Sequence, residues 1–187
     1  MKLMDYHTHH NRCGHALGGI HALILDAPEV IFLAGGKGSE APETLGEDTI
    51  HTAYFEKMTQ MVETGYFDII AHLDNHRLLW APQEPVYSDD VWLRLMELLD
   101  RIKSKGMAVE INTSGTWKGA TSQFPGDDIV KELNRRQIPL TLCSDAHRPQ
   151  EVGHQFHEFI QKAIPWGLTH LCLYEKRRQI LIPTDGK

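Results

Sequence analysis

Cysteine, clustered basic residues and long apolar runs are all scarce in this sequence of 187 residues. The three cysteines, Cys13, Cys143 and Cys172, are scattered, which argues against a disulfide framework and favours reduced thiols in a cytoplasm. No apolar run approaches the roughly 18 residues of a membrane span, and the first ten residues do not resemble a signal peptide. The net charge of −6 argues against nucleic-acid binding. We therefore expect a cytoplasmic protein that binds neither nucleic acid nor membranes.

Strand-length apolar runs alternate with helical patterns, which indicates an α/β fold with a mostly parallel sheet in one domain, residues 1–187. A capping box at Thr44 and Glu47 predicts one helix, and Ser88 caps the next. A third helix is expected over 127–137, and a fourth starts near Pro149 and carries Val152 to Ile160. The predicted strands are 3–9, 20–25, 30–33, 67–73, 107–111, 138–143 and one or two within 168–183, with a turn at 176–178.

Histidine is abundant, with twelve residues, and several of them follow predicted strands. His7 and His9 lie two apart on the first strand, so both side chains point to one face. His72 ends an apolar run, and Asp145 and His147 follow another. Imidazoles and carboxylates at strand ends are the ligands of a hydrolytic metal site, and α/β barrels form their active sites at these ends. The pattern predicts a metal-dependent hydrolase.

Plainer interpretations exist for the same residues. A His-x-His pair alone is a weak signal, and Asp145 also suits the start of a helix, with Pro149 inside it. Cys13 is near enough to the histidines to be a ligand, although a packed thiol near the site is the plainer interpretation. The remaining histidines in helical or polar contexts are given no role, namely His51, His154, His157 and His170.

Five segments together resemble the polymerase and histidinol phosphatase (PHP) family, and its histidinol-phosphate phosphatase branch most closely. They are Asp5-Tyr6-His7-Thr8-His9, Cys13-Gly14-His15-Ala16, Ala71-His72-Leu73-Asp74, Glu110-Ile111-Asn112-Thr113-Ser114-Gly115 and Ser144-Asp145-Ala146-His147-Arg148-Pro149. The last segment continues through Glu151-Val152-Gly153. The resemblance implies a distorted, shortened TIM-like βα barrel that holds one to three zinc, iron or manganese ions and hydrolyses phosphate esters.

Carried over residue by residue, the resemblance implies three ligand groups. The first is His7, His9 and Asp145; the second is His21 and His72; the third is His15 and His147. His21 enters because Gly19-Ile20-His21 stands about fifty residues before His72, as a similar strand does in the family. The alternative for His21 is an ordinary loop histidine.

The chain departs from the family pattern just after the first motif. Family members carry a long segment there, with a Thr-Asp-His element and a Gly-x-Glu strand, whereas this chain passes from Ala16 to Gly19 almost at once. A histidine ligand and a bridging glutamate are therefore missing. Glu40, Glu43, Glu110 or a residue of a second subunit could replace them, and unpaired strand edges favour association into a homo-oligomer.

The resemblance also implies a reaction, the hydrolysis of L-histidinol phosphate to L-histidinol and phosphate in histidine biosynthesis. Asp145 or His147 would assist proton transfer to the leaving alkoxide. Lys118, Arg77 and Arg148 are candidate phosphate ligands, and each is equally explained as a surface cation. The alternatives are a weakened or non-catalytic metal-binding protein, a phosphoesterase for another small phosphate ester, and an amidohydrolase-like enzyme.

Overall fold

A computed structural model describes residues 17–24, 30–32 and 45–184. The predicted strand 3–9 lies outside these residues, as do the predicted ligands His7, His9 and His15 and the thiol of Cys13. Glu40 and Glu43, considered above as replacement ligands, also lie outside them.

A parallel sheet of four strands, in the order β1-β4-β5-β6, organises the fold. Helices follow β4 and β5 before the chain returns to the sheet, so the predicted α/β class with a parallel sheet is confirmed. Closure of this sheet into a barrel stays a prediction. The strands are β1 (Leu17–Gly18), β4 (Ile69–Ile70), β5 (Ala108–Asn112) and β6 (Leu140–Cys143).

The helices bury apolar stripes against this sheet. Ser88 caps the second helix as predicted, since its side chain accepts a hydrogen bond from the Val91 amide at 3.4 Å. Leu95, Leu98 and Ile102 of that helix are fully buried, as expected of an apolar face. The helices are α1 (Glu47–Glu63), α2 (Asp89–Ser104), α3 (Asp127–Arg135) and α4 (Phe156–Ala163).

Two antiparallel strand pairs accompany the parallel sheet among the described residues. The strands β2 (Ala22–Ile24) and β3 (Val30–Phe32) pair with each other, not with the parallel sheet. The tail forms β7 (His170–Glu175) and β8 (Arg178–Pro183), and Lys176 and Arg177 make the turn with positive φ angles of 50° and 63°. Of the one or two strands predicted for the tail, the structure has two, and the turn lies within the predicted residues 176–178.

One prediction about a helix start is wrong. The segment from Pro149 is a short 3-10 turn, Pro149–Glu151. The helix α4 begins only after Gln155, because the φ of 54° at Gln155 is incompatible with a right-handed helix. Val152 is therefore 55% exposed and not part of a helical stripe. Gly46 directly precedes α1. The predicted cap Thr44 lies outside the described residues, so the capping box stays a prediction.

Candidate metal centre

The carboxyl ends of the four parallel strands bring several predicted ligands to one edge of the sheet. His21 comes three residues after β1, His72 two residues after β4, and Asp145 two residues after β6. Since parallel strands point the same way, these segments share the edge at which α/β proteins place their ligands.

His21 and His72 are in contact at this edge. Their ring centroids lie 4.8 Å apart, with the planes at 84°. His72 is buried, whereas the His21 side chain is exposed on the segment between β1 and β2. Gly19 makes the approach possible, because a Cβ on this residue would stand 2.6 Å from Cε1 of His72. The structure thus brings the two rings together, and their role as ligands stays a prediction.

The backbone of His72 is held from two sides. Its φ of 29° is unusual for a residue with a Cβ. The His72 amide donates to Oε2 of Glu110 at 2.6 Å, and the His72 carbonyl accepts from the Tyr54 hydroxyl at 3.3 Å and from the Asn75 amide at 3.0 Å. The turn after β4 therefore fixes the direction in which the His72 ring leaves the sheet.

Asp145 is buried just after β6 and also has a positive φ, 51°. Its Oδ2 is paired with the ammonium group of Lys118. Nδ1 of His147 lies 2.8 Å from the Asp145 carbonyl oxygen. An Nδ1–H that donates to this carbonyl leaves Nε2 as the nitrogen with the lone pair, as is usual for metal-binding histidines. His147 itself is exposed.

The three predicted phosphate ligands have different surroundings. Lys118 reaches Asp145, so a predicted phosphate ligand and a predicted metal ligand are neighbours. Arg148 follows His147 on the exposed surface. Arg77 is only 4% exposed, so its interpretation as a surface cation is wrong.

The guanidinium of Arg77 is surrounded by acceptors. Nη1 lies 3.0 Å from Oδ2 of Asp74, Nε 3.1 Å from Oε2 of Glu84, and Nη2 3.0 Å from the Ser122 hydroxyl. Burial raises the pKa of Asp74, and the positive charge of Arg77 offsets part of that rise. Because two carboxylates already balance its charge, Arg77 is better suited to holding these loops together than to binding phosphate.

The donor types at this edge fit a transition metal, since imidazole and carboxylate ligands suit zinc, iron and manganese. Gly19 also leaves beside His72 a space that any side chain would fill. Within residues 17–24, 30–32 and 45–184, however, no three His, Cys, Asp or Glu side chains come together as a metal site. The predicted ligand groups include His7, His9 and His15, which lie outside the described residues.

Glu110, considered above as a replacement ligand, is fully buried on β5. Its Oε2 accepts from the His72 amide and, at 3.1 Å, from Nδ2 of Asn112. Asn112 in turn accepts from the Ser114 amide and hydroxyl at 3.0 and 2.6 Å. Glu110 therefore connects the ends of β4 and β5, a role that the sequence alone did not suggest.

The structure also contains a buried pair of imidazoles that was not predicted from the sequence. Nδ1 of His51, which was given no role, lies 2.9 Å from Nε2 of His76, and both side chains are fully buried. The His76 ring stacks on Tyr54 at 4.0 Å. One signal was present, because His51, Phe55 and Met58 follow helical spacing along α1.

No helix in the described part of the chain is long and apolar enough to cross a membrane.

Comparison with known proteins gives one consistent result, although no family model matches the chain. A Deinococcus radiodurans protein named "Probable histidinol-phosphatase" is 29% identical over 139 residues, which are 71% of this chain and 51% of that protein. A Schizosaccharomyces pombe protein of the same name is 30% identical over 127 residues, 66% of this chain and 41% of that protein. The chain thus spans about half the length, or less, of these relatives.

The fold also has a solved neighbour. The crystal structure of hisK from Listeria monocytogenes, described as a candidate histidinol phosphatase, matches with a TM-score of 0.68 at 18% identity. The match covers 76% of this chain and 57% of that one. At this identity the likeness concerns the fold alone. The chain is therefore similar to proteins named histidinol-phosphatase in sequence, and to a solved structure of this kind in fold.

Proposed function

We propose that this chain is a metal-dependent phosphomonoester hydrolase that acts on L-histidinol phosphate. The observation that carries the proposal is the edge of the sheet where His21 contacts His72 and Lys118 pairs with Asp145. The sequence relatives named histidinol-phosphatase support the same activity. The chain spans only about half their length, so their substrate is part of the proposal.

His7, His9, His15, His21, His72, Asp145 and His147 would hold the metal ions. Bound zinc, iron or manganese would polarise the phosphoryl oxygens and supply a hydroxide near neutral pH. One to three ions per chain are proposed. The proposal also includes the distorted PHP-type barrel, of which the observed parallel sheet would form part.

The chain's own residues have separable tasks in this reaction. Lys118 lies beside Asp145 and would place its positive charge against the phosphate. A bond from the hydroxide oxygen to phosphorus would form as the ester P–O bond breaks, and Asp145 or His147 would assist the transfer of a proton from water to the leaving alkoxide. Arg148, exposed next to His147, is the second candidate for contact with the substrate.

A weakened or non-catalytic metal-binding protein is the second candidate. One observation favours it, namely the passage from Ala16 to Gly19 without the Thr-Asp-His and Gly-x-Glu elements of the resembled family. A second subunit could supply the missing ligands, and the proposal therefore includes a homo-oligomer. The buried free thiol of Cys172 supports a reducing, cytoplasmic location.

Phosphate release from L-histidinol phosphate and a panel of other phosphomonoesters tests the proposal. EDTA should abolish release, and added manganese or zinc should restore it. Lys118→Gln should raise KM or lower kcat/KM at least 10-fold, because a positive charge near the phosphate is lost. Lys131→Gln is the matched control, since this exposed lysine pairs with Asp128 on α3. EDTA-resistant release, or equal losses in both variants, would contradict the proposal.

A further inference from the structure

We propose that Glu110 is a positioning residue, which orients His72 toward the metal centre through the His72 backbone and does not bind metal itself. The inference rests on the proposed function, because it assumes that His72 is a ligand. It deepens that function by identifying what sets the direction of the His72 ring.

The first argument is the free-energy cost of burying a carboxylate at position 110. Glu110 lies in the middle of β5 and is fully buried, in a strand whose five residues are all buried. A carboxylate there loses its hydration and is tolerated only where hydrogen bonds compensate. An apolar side chain would pack at this position without that cost, so the acceptor oxygen itself is what the position requires.

The second argument is the ladder between β4 and β5. The register pairs Ile69 with Ala108 and Ile70 with Val109, and the strand pairing stops there. Beyond this point the His72 amide turns away from the ladder and donates to the Glu110 carboxylate at 2.6 Å. The side chain of β5 thus replaces the backbone acceptor that a continued ladder would have provided.

The third argument is the backbone conformation that this hydrogen bond fixes. With φ at 29°, His72 adopts a conformation that is unfavourable for a residue with a Cβ. A charge-assisted hydrogen bond to its amide is suited to holding it. In this conformation the ring meets His21 at 4.8 Å and fits against Gly19. Without Glu110, the turn would relax and the ring would leave that contact.

Two substitutions separate positioning from ligation. Glu110→Gln keeps an oxygen that accepts the His72 amide but removes the charge that a metal ligand needs. Glu110→Met keeps the volume and removes the acceptor. Thr141→Val is the matched control, because Thr141 is the buried residue paired with Glu110 on β6. Co²⁺ titration of the metal-free protein then gives both the affinity and the visible spectrum of the bound ion.

We expect Glu110→Gln to bind Co²⁺ within about threefold of the wild type and with the same spectrum. Glu110→Met should bind 10- to 100-fold more weakly, which is the usual effect of removing a residue that orients a ligand. Thr141→Val should bind like the wild type. Equal losses of Co²⁺ affinity in Glu110→Gln and Glu110→Met would mean that Glu110 is a ligand. Unchanged affinity in both variants would mean that Glu110 has no part in the site. Either result overturns the inference but leaves the proposed function standing.

If the proposed function is wrong, the wild type itself will bind no Co²⁺, which distinguishes this result from the two above. The inference would then be wrong as well. If Glu110→Met does not fold, the test is the exchange rate and NMR chemical shift of the His72 amide proton, measured in the wild type and in Glu110→Gln. We expect slow exchange and a downfield NMR signal in the wild type, with slow exchange retained in Gln. Fast exchange of this amide in the folded wild type would overturn the inference.

Discussion

The buried pair of His51 and His76 should make the fold sensitive to mild acid. Burial lowers the pKa of His51 to about 4, with the negative charge of Asp48 opposing part of the shift. Burial, together with the neighbouring His51 and Arg77, lowers the pKa of His76 well below its ordinary value. Both imidazoles are therefore neutral in the folded protein near neutral pH, and His51 stays mostly neutral down to pH 5.

The sign of the effect follows from proton binding. An unfolded histidine, with a pKa near 6.5, takes up a proton as the pH falls, while these two folded residues do not. The unfolded state thus binds more protons, and the free energy of unfolding decreases as the pH falls below about 6.5. Between pH 7.5 and pH 5 the loss is about 2 kcal/mol for His51 alone, and the lowered pKa of His76 adds a loss of the same sign.

The test compares the wild type with the double variant His51→Leu, His76→Leu in urea at both pH values. Near neutral pH the double variant should lose little stability, because both partners of the hydrogen bond are removed together. Nε2 of His51 and Nδ1 of His76 make no hydrogen bond within the described residues, so few other partners are lost. The double variant should be less sensitive to acid by at least roughly 2 kcal/mol, the contribution of His51.

The control is His157→Leu, which changes an exposed histidine of α4. It should retain the acid sensitivity of the wild type. An equal change in unfolding free energy between pH 7.5 and pH 5 in the wild type and the double variant would refute the reasoning, whatever the absolute stabilities.

Strong local signals explain which parts of the fold could be predicted from the sequence. The helix α2 had both a cap at Ser88 and a regular apolar stripe, and β5 and β6 lie in mostly apolar runs that Glu110 and Thr141 interrupt. By contrast, β1 has only two residues and includes Gly18, so no periodicity marks it. Its pairing with β4 depends on contacts between residues about fifty positions apart, which the sequence pattern does not contain.

Some residues of the candidate site could likewise be predicted from the sequence, and others could not. His72 and Asp145 could be found because each follows a buried strand. The environment of Arg77 could not be predicted, because its hydrogen-bond partner Ser122 lies 45 positions away in the sequence. The roles of Glu110 and of the His51 pair likewise depend on which groups the fold brings close together.

Three further predictions follow from named contacts. Gly19→Ala should weaken metal binding at least 10-fold in a calorimetric titration, because the new Cβ would collide with the His72 ring; unchanged affinity would contradict the proposed site. Arg77→Met should lower the free energy of unfolding by about 3–5 kcal/mol in urea, because Asp74 would remain buried without its ion pair; a loss below about 1 kcal/mol would mean that the pair is not buried in solution. Burial raises the pKa of Cys172 to about 12, so this thiol should react with a disulfide reagent at pH 8 only after unfolding, and rapid native reaction would be the contrary result.

The central claim is that the residues at the carboxyl edge of the sheet bind metal and use it to hydrolyse a phosphate ester. Its most direct test measures metal content and phosphate release together in the wild type and in Asp145→Asn. We expect the wild type to retain transition metal and to release phosphate from L-histidinol phosphate, and the variant to lose at least 10-fold in metal occupancy and in activity. Equal phosphate release from the two proteins, or a wild type with less than about 0.2 metal ions per chain after growth with added metal, would contradict the claim.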